Sequence, residues 1–167
     1  MELLEFKQKT KELFKYNDFT EINKILLENA NNEEFIEGYL NIIQNDFSKD
    51  WLQSLYQYEL SDREQKHQDY TPICLSKLVS KLVGESDVLI DMCAGSGSLG
   101  IQCFNQYADK NEYIFLEADE NVIGFLIFNL VIRNIKSKVK LYDVITEEIK
   151  KVYIIKKGEK YGSVISE

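Results

Sequence analysis

A short apolar run that ends in a carboxylate and leads directly into a glycine-rich turn limits the possible folds of this chain more than any other feature. Residues 88–91 read Val-Leu-Ile-Asp, Gly95 and Gly97 lie in the following turn (residues 92–97, the glycine turn), and a helical pattern begins at Ser98. A strand, a tight turn and a helix in this order form a nucleotide-binding corner, where glycines let the backbone approach the ligand. The sequence therefore predicts a cofactor site at this turn.

The carboxylate of Asp91 indicates the charge of the ligand. Taken alone, residues 95–100 also fit the fingerprint of dinucleotide-binding proteins, whose pyrophosphate lies on the turn and on the N-terminus of the helix. Asp91 would repel a pyrophosphate, whereas it suits a ligand with an ammonium group, such as the methionine half of S-adenosylmethionine. The residues therefore favour S-adenosylmethionine as cofactor, and a dinucleotide-dependent oxidoreductase is the less favoured alternative.

A second acidic residue follows the next apolar run. Residues 113–116 read Tyr-Ile-Phe-Leu, which is typical of a buried parallel strand, and Glu117 comes directly after them. An acid at such a strand end can accept hydrogen bonds from both ribose hydroxyls. The alternative is that Glu117 starts a helix whose first turn contains Asp119 and Glu120. Two strand-end carboxylates beside one glycine turn favour the ribose role.

Four segments, in their order and spacing, resemble the adenine N-6 DNA methyltransferases, and most closely the modification subunits of type I restriction systems. They are Tyr70-Thr71-Pro72, residues 91–97 (Asp-Met-Cys-Ala-Gly-Ser-Gly), residues 117–119 (Glu-Ala-Asp) and residues 129–134 (Asn-Leu-Val-Ile-Arg-Asn). The resemblance runs from near Gln68 to the C-terminus. It implies S-adenosylmethionine as cofactor, DNA as a partner in the intact system, and a separate specificity or partner subunit.

The resemblance also implies a role for each matching residue. In that family the Tyr-Thr-Pro segment and the glycine turn hold the methionine moiety, which here implies Tyr70, Thr71, Pro72, Asp91, Gly95 and Gly97. The acid at the second strand end binds the ribose, which implies Glu117. By the same resemblance Asp143 would lie near the adenine and Ala118 against its ring. Cys93 and Ala94 would be small residues tolerated beside the cofactor, although Cys93 could also be taken for a nucleophile.

One motif of the family is missing from this sequence. Family members carry an Asn/Asp-Pro-Pro-Tyr/Phe motif that grips the flipped base, whereas the only proline here is Pro72. Residues 161–166 resemble the strand that leads into that motif, so we expect the chain to be truncated before it. The resemblance thus implies a cofactor-binding part that does not methylate DNA alone. The alternative is a non-catalytic, degenerate methyltransferase fold that binds a partner protein.

Composition indicates the class of protein. With 44% hydrophobic and 29% charged residues the chain is typical of globular proteins. It has no apolar run as long as a membrane span, and its acidic N-terminus does not resemble a signal peptide, so a cytoplasmic location is expected. Three cysteines and one histidine without metal-ligand spacing make a zinc site improbable.

The net charge of -8 is unevenly distributed along the chain. Residues 1–60 are strongly acidic, whereas residues 131–160 carry an excess of basic side chains. DNA affinity depends on neutralising phosphates, so the basic stretch is a candidate DNA-facing surface. The stretch runs through Arg133, Lys136, Lys138, Lys140, Lys150, Lys151, Lys156 and Lys157. The more common alternative for such a run is a solvated surface.

The chain divides into three parts by pattern. Residues 1–60 form an N-terminal helical region interpreted as a packing cap, residues 61–71 a linker that delivers the Tyr-Thr-Pro segment, and residues 72–167 a partial methyltransferase-like domain. Predicted elements of this domain are helices 72–83, 98–107 and 119–134, a helical turn at 146–151, and strands 87–91, 113–117, 138–142, 152–156 and 162–166. Their alternation predicts a Rossmann-like α/β fold, with helices on both faces of a parallel sheet that is incomplete at its C-terminal end.

Overall fold

A computed structural model describes residues 2–48, 50–59, 71–108 and 112–167. Its α-helices are α1 (Leu3–Phe14), α2 (Ile22–Glu28), α3 (Glu33–Ile42), α4 (Trp51–Glu59), α5 (Ile73–Val83), α6 (Ser98–Tyr107) and α7 (Ile123–Ile132). Its strands are β1 (Val88–Asp91), β2 (Glu112–Glu117), β3 (Ser137–Asp143), β4 (Glu148–Lys156) and β5 (Ser163–Ser166). A short 3-10 helix, Phe19–Glu21, precedes α2.

Two N-terminal helical segments, the 3-10 helix and α3, begin at a residue whose side chain caps them. The Asp18 side chain accepts a hydrogen bond from the backbone N–H of Thr20, and the Asn32 side chain accepts one from the backbone N–H of Phe35. Each bond satisfies a donor that the first turn of a helix leaves free. The start of the 3-10 helix and the start of α3 therefore each coincide with a capping residue.

The sheet has the order β1-β2-β3-β4-β5, and its two halves differ in direction. β1, β2 and β3 are parallel, whereas β4 is antiparallel to β3 and β5 is antiparallel to β4. The prediction of a parallel sheet is therefore confirmed for the first three strands and wrong for the last two. Four residues separate β3 from β4, too few for the crossover that a parallel pair requires.

The prediction of helices on both faces is also wrong for the two crossover helices. A β-carbon on Gly100 of α6 would meet the ring of Phe115, and one on Gly162 would lie near both Val131 of α7 and Ile155. Phe115 pairs with Val139 of β3, and Ile155 pairs with Ser137 of β3. Val139 and Ser137 are two residues apart in one strand, so Phe115 and Ile155 point to the same face of the sheet. Two right-handed crossovers that advance in the same direction place both helices on one face.

Two predicted boundaries differ from the structure. Residues 148–151 belong to β4, although a helical turn was predicted over 146–151, because pairing with β3 overrides the weak local helical pattern. Helix α7 begins at Ile123 rather than at residue 119, because residues 120–122 form a turn. The remaining strand and helix predictions of residues 72–167 agree with the structure to within a few residues.

One continuous apolar core joins the N-terminal helices to the sheet through α7. Every residue of α7 is buried, so the helix is a central layer with strands on one side and helices on the other. The rings of Tyr39 and Phe128 meet edge to face at 5.2 Å, and those of Tyr56 and Phe125 at 5.1 Å. Within the described residues, no helix has the length and apolar character required to cross a membrane.

Candidate functional site

Three of the predicted site acids end parallel strands. Asp91, Glu117 and Asp143 are the last residues of β1, β2 and β3, which run side by side in the same direction. The carboxyl ends of parallel strands meet at one edge of a sheet, where open α/β sheets bind their ligands. The structure therefore brings the three predicted acids to one edge.

The glycine turn connects β1 to α6 with a backbone conformation that glycine permits. Gly95 and Gly97 have φ values of 54° and 95°, in the left-handed region. A β-carbon on Gly97 would also lie 2.9 Å from Leu126 Cδ1. The backbone N–H of Ala94 donates to Leu116 O (3.0 Å), and that of Gly97 donates to Ala94 O (2.8 Å). The turn is thus closed on itself and tied to β2.

Asp91 is a buried carboxylate with one unsatisfied oxygen. The residue is 8% exposed, and its Oδ2 has no hydrogen-bond partner. Burial raises the pKa of Asp91, and the nearby Glu117 carboxylate adds to the rise, although the backbone N–H groups of Cys93 and Gly100 oppose it. A buried polar atom without a partner is costly, so this oxygen is the strongest local indication of a missing donor.

Glu117 fastens the glycine turn to the next strand. Its Oε2 accepts a hydrogen bond from Gly95 N (2.7 Å), and its Oε1 accepts one from Asp119 N (2.8 Å). Helix α7 starts only at Ile123, so Glu117 and Asp119 do not form the first turn of a helix. The structure therefore does not support the helix-start interpretation of Glu117.

Asp143 has local partners of its own. Its Oδ1 accepts hydrogen bonds from Ile145 N (2.8 Å) and Thr146 N (3.3 Å), which are the main reason that the pKa of Asp143 is lowered. This pattern stabilises the turn between β3 and β4. Asp143 thus lies at the predicted edge, where its observed contacts are those of a turn residue.

The other predicted site residues lie around this edge or beside α5. Cys93 is exposed, Ala94 is buried, and Ala118 is exposed directly after Glu117. Thr71 and Pro72 immediately precede α5, which packs against α6, whereas Tyr70 lies outside the described residues. Ser76 of α5 and Ser98 of α6 are hydrogen-bonded through their hydroxyls at 3.0 Å. The start of α5 is therefore close to the start of α6.

Sequence reasoning missed the partners that lie behind the glycine turn. Asp50, which precedes α4, accepts hydrogen bonds from Ser96 Oγ and from Asn129 Nδ2, both at 2.9 Å. Asn129 also donates to Ser96 O (3.1 Å) and accepts from Arg133 Nη1 (2.7 Å). Asn129 lies in the fourth segment of the family resemblance, which implied no role for it. For Asp50 no local pattern in the sequence signals a contact with a turn 46 residues away.

Two residues of the basic stretch make contacts within the protein. Arg133 is directed towards Asn129, and its guanidinium lies 5.2 Å from the centre of the Phe47 ring. Lys150 instead donates to Glu120 Oε1 (2.7 Å), beyond the end of β2. Within the described ranges, no group of three or more His, Cys, Asp or Glu side chains could hold a metal ion.

One of three comparisons with known proteins found a match. A sequence model of the family described as N-6 DNA methylase matches residues 47–160, which is more than half of the chain. No curated protein and no solved structure matches the chain. The match includes β1, the glycine turn, β2 and α7, and it begins just before Asp50. The chain belongs to the N-6 DNA methylase family.

Proposed function

We propose that this chain is the S-adenosylmethionine-binding part of an adenine-specific N-6 DNA methyltransferase of a restriction-modification system, related to type I modification subunits. The observation that carries the proposal is the unsatisfied, buried Oδ2 of Asp91 beside the glycine turn. A cationic or strongly donating ligand group at that position would supply the missing hydrogen bond.

The chemistry of the site fits S-adenosylmethionine better than a dinucleotide. The ammonium group of the methionine moiety would neutralise Asp91, whereas a pyrophosphate beside this buried carboxylate would be repelled. Glu117 supplies a second acceptor at the neighbouring strand end, and Ala118 follows it as a small, exposed residue. The positive φ angles of the glycine turn allow its backbone to come close to the ligand.

The contacts that Glu117 already makes are compatible with a ribose. Each of its carboxylate oxygens accepts one backbone N–H, and a carboxylate has about four acceptor sites in all. Two acceptor sites therefore remain for ribose hydroxyls while Gly95 and Asp119 stay bound. The existing hydrogen bonds would orient Glu117 before the ligand arrives.

In the proposed reaction these residues hold the donor and leave the acceptor base to other groups. The sulfonium supplies an activated methyl group, so the protein mainly has to align donor and acceptor. A base in duplex DNA must be flipped out to react. These 167 residues contain no Pro-Pro pair, so we propose that they bind the cofactor without methylating DNA alone. Incorporation of labelled methyl into DNA by this chain would contradict that part.

Calorimetric titration of the purified chain with S-adenosylmethionine, and with NAD in parallel, tests the proposed function. We expect micromolar binding of S-adenosylmethionine and none of NAD. Preferential binding of NAD would overturn the proposal in favour of a dinucleotide-dependent oxidoreductase.

Replacing Glu117 by Ala should weaken S-adenosylmethionine binding at least about tenfold, because charge-assisted hydrogen bonds to the ribose and the restraint on Gly95 are both lost. The measurement is the dissociation constant from the same titration. Glu120→Ala is the matched control. Glu120 is an exposed acid that follows the same strand, and its side chain pairs with Lys150. Equal affinity of wild type and Glu117→Ala would remove the ribose assignment.

A second candidate function is a non-catalytic interaction module with a degenerate methyltransferase fold. Helix α5 exposes an apolar stripe of Leu75, Leu78 and Leu82, which are 46%, 53% and 76% exposed. Contiguous exposed apolar residues are typical of protein-binding surfaces. Absence of S-adenosylmethionine binding, together with a stable complex that Leu78→Asp and Leu82→Asp disrupt, would favour this function over the first.

A further inference from the structure

We propose that Asp50 is a positioning residue of the cofactor site, through which the N-terminal helical region holds the glycine turn in its ligand-receiving shape. The inference rests on the proposed function, because its consequence is the affinity for S-adenosylmethionine. It assigns a role in the site to a region that sequence patterns indicate to be only a packing cap.

The hydrogen bonds of Asp50 connect three separate elements. Its Oδ2 accepts from the Ser96 hydroxyl in the glycine turn and from the Asn129 amide in α7, both at 2.9 Å. Its Oδ1 accepts from Gln53 N (2.9 Å) in the first turn of α4. One carboxylate thus fixes the start of α4, the middle of the glycine turn and the inner face of α7 relative to one another.

Both side chains that donate to Oδ2 are shielded from water. Ser96 is 1% exposed and Asn129 is not exposed at all. When a buried donor loses its partner, the cost of its desolvation is no longer offset by a hydrogen bond. Removing the acceptor should therefore change the conformation or the mobility of the turn between Gly95 and Gly97.

The carboxylate of Asp50 makes its hydrogen bonds in a setting that is not fully packed. A cavity of about 110 Å³ borders Asp50, Ser98 and Arg133. Side chains beside a cavity lack part of the van der Waals contact that a packed core provides. Gly95, the residue before Ser96, is held by Glu117, so two carboxylates hold the turn, one from β2 and one from the N-terminal region.

Asp50→Asn separates the positioning role from the capping role. The amide oxygen can still accept from Gln53 N, whereas the amide nitrogen that replaces Oδ2 cannot accept from Asn129 Nδ2. We expect this variant to bind S-adenosylmethionine about tenfold more weakly than wild type, equivalent to about 1.4 kcal/mol. Ser96→Ala, which leaves Asp50 and its cap intact, should weaken binding several-fold. The dissociation constant of the double variant should rise by less than the product of the two single fold-changes, because both substitutions act on the same turn.

Asn32→Ala is the matched control, since Asn32 caps α3 through Phe35 N and has no hydrogen bond to the glycine turn. It should lower the midpoint of thermal unfolding without changing the dissociation constant. If Asp50→Asn and Ser96→Ala both bind S-adenosylmethionine as tightly as wild type, the positioning role is overturned and the proposed function still stands. Failure of the wild-type chain to bind S-adenosylmethionine would overturn the proposed function, and this inference with it. If Asn32→Ala loses as much affinity for S-adenosylmethionine as Asp50→Asn does, general destabilisation explains the weaker binding. This result would also overturn the inference.

Discussion

Asp91→Asn is expected to weaken S-adenosylmethionine binding about a hundredfold while making the ligand-free protein more stable at pH 7. The affinity falls because the variant loses its charge-assisted hydrogen bond to the ammonium group, a contribution of roughly 1.5–3 kcal/mol. The stability rises, by about 1 kcal/mol, because a neutral amide costs less to bury than a carboxylate whose Oδ2 is unsatisfied. Opposite signs for binding and stability are typical of a residue retained for its ligand.

The stabilisation should depend on pH in a defined direction. Burial raises the pKa of Asp91 in the folded protein, so the folded state binds more protons than the unfolded state between the two pKa values. The free energy of unfolding that this carboxyl contributes therefore falls as pH rises through that window. Below the unfolded value of about 3.9 the wild-type carboxyl is protonated in both states, and the advantage of Asp91→Asn should disappear.

Urea unfolding at several pH values, combined with calorimetric titration, measures both effects of Asp91→Asn. Asp87→Asn is the control for net charge, because Asp87 is exposed and immediately precedes β1. It should change neither the affinity nor the stability appreciably. An Asp91→Asn protein that binds S-adenosylmethionine as tightly as wild type would show that Asp91 does not contact the cofactor.

Gly124→Ala should destabilise the protein by about 3 kcal/mol, because it forces apart the N-terminal helices and the sheet layer. A β-carbon on Gly124 would lie 2.0 Å from the backbone oxygen of Asn23 in α2, which cannot move independently of its helix. The same contact carries two hydrogen bonds, from Gly124 N to Asn23 Oδ1 (2.7 Å) and from Asn23 Nδ2 to Glu120 O (2.8 Å). The substitution would break both as the helices separate.

Gly38→Ala provides the matched control for Gly124→Ala. Gly38 lies within α3, where a β-carbon would meet only the flexible end of the Leu13 side chain, at 2.9 Å. Alanine is favoured over glycine within a helix by about 1 kcal/mol, so this variant should be nearly neutral or slightly stabilised. The measurement is the free energy of unfolding in urea. Equal stability of the two variants would show that α2 does not pack closely on α7.

Much of the candidate site could be predicted because it depends on local order along the chain. An apolar run, a carboxylate and closely spaced glycines favour a strand followed by a tight turn, and the end of β1 and the start of α6 were predicted correctly. The placement of Glu117 at the end of β2 followed from the same kind of pattern. These elements are continuous segments, in which spacing alone carries the structural information.

The part of the sheet after β3 could not be predicted in the same way. The segment 146–151 has a weak helical pattern, and its pairing with β3 at the Tyr142–Ile149 register decided the outcome. A strand gains its backbone hydrogen bonds from a neighbour, so its propensity depends on context more than that of a helix. The short connection between β3 and β4 requires β4 to be antiparallel to β3. The alternation of predicted strands and helices did not indicate this direction.

The sequence by itself determined the strand, glycine turn and helix of residues 88–107, the acidic strand ends, and the resemblance to N-6 DNA methyltransferases, a family that the match to residues 47–160 confirms. Only the tertiary structure decided that Asp50 lies behind Ser96, that Gly124 receives the backbone of Asn23, and that one oxygen of Asp91 is buried without a partner. These contacts join residues far apart in the chain, and no periodicity encodes them. They depend on how helices and sheet pack in three dimensions.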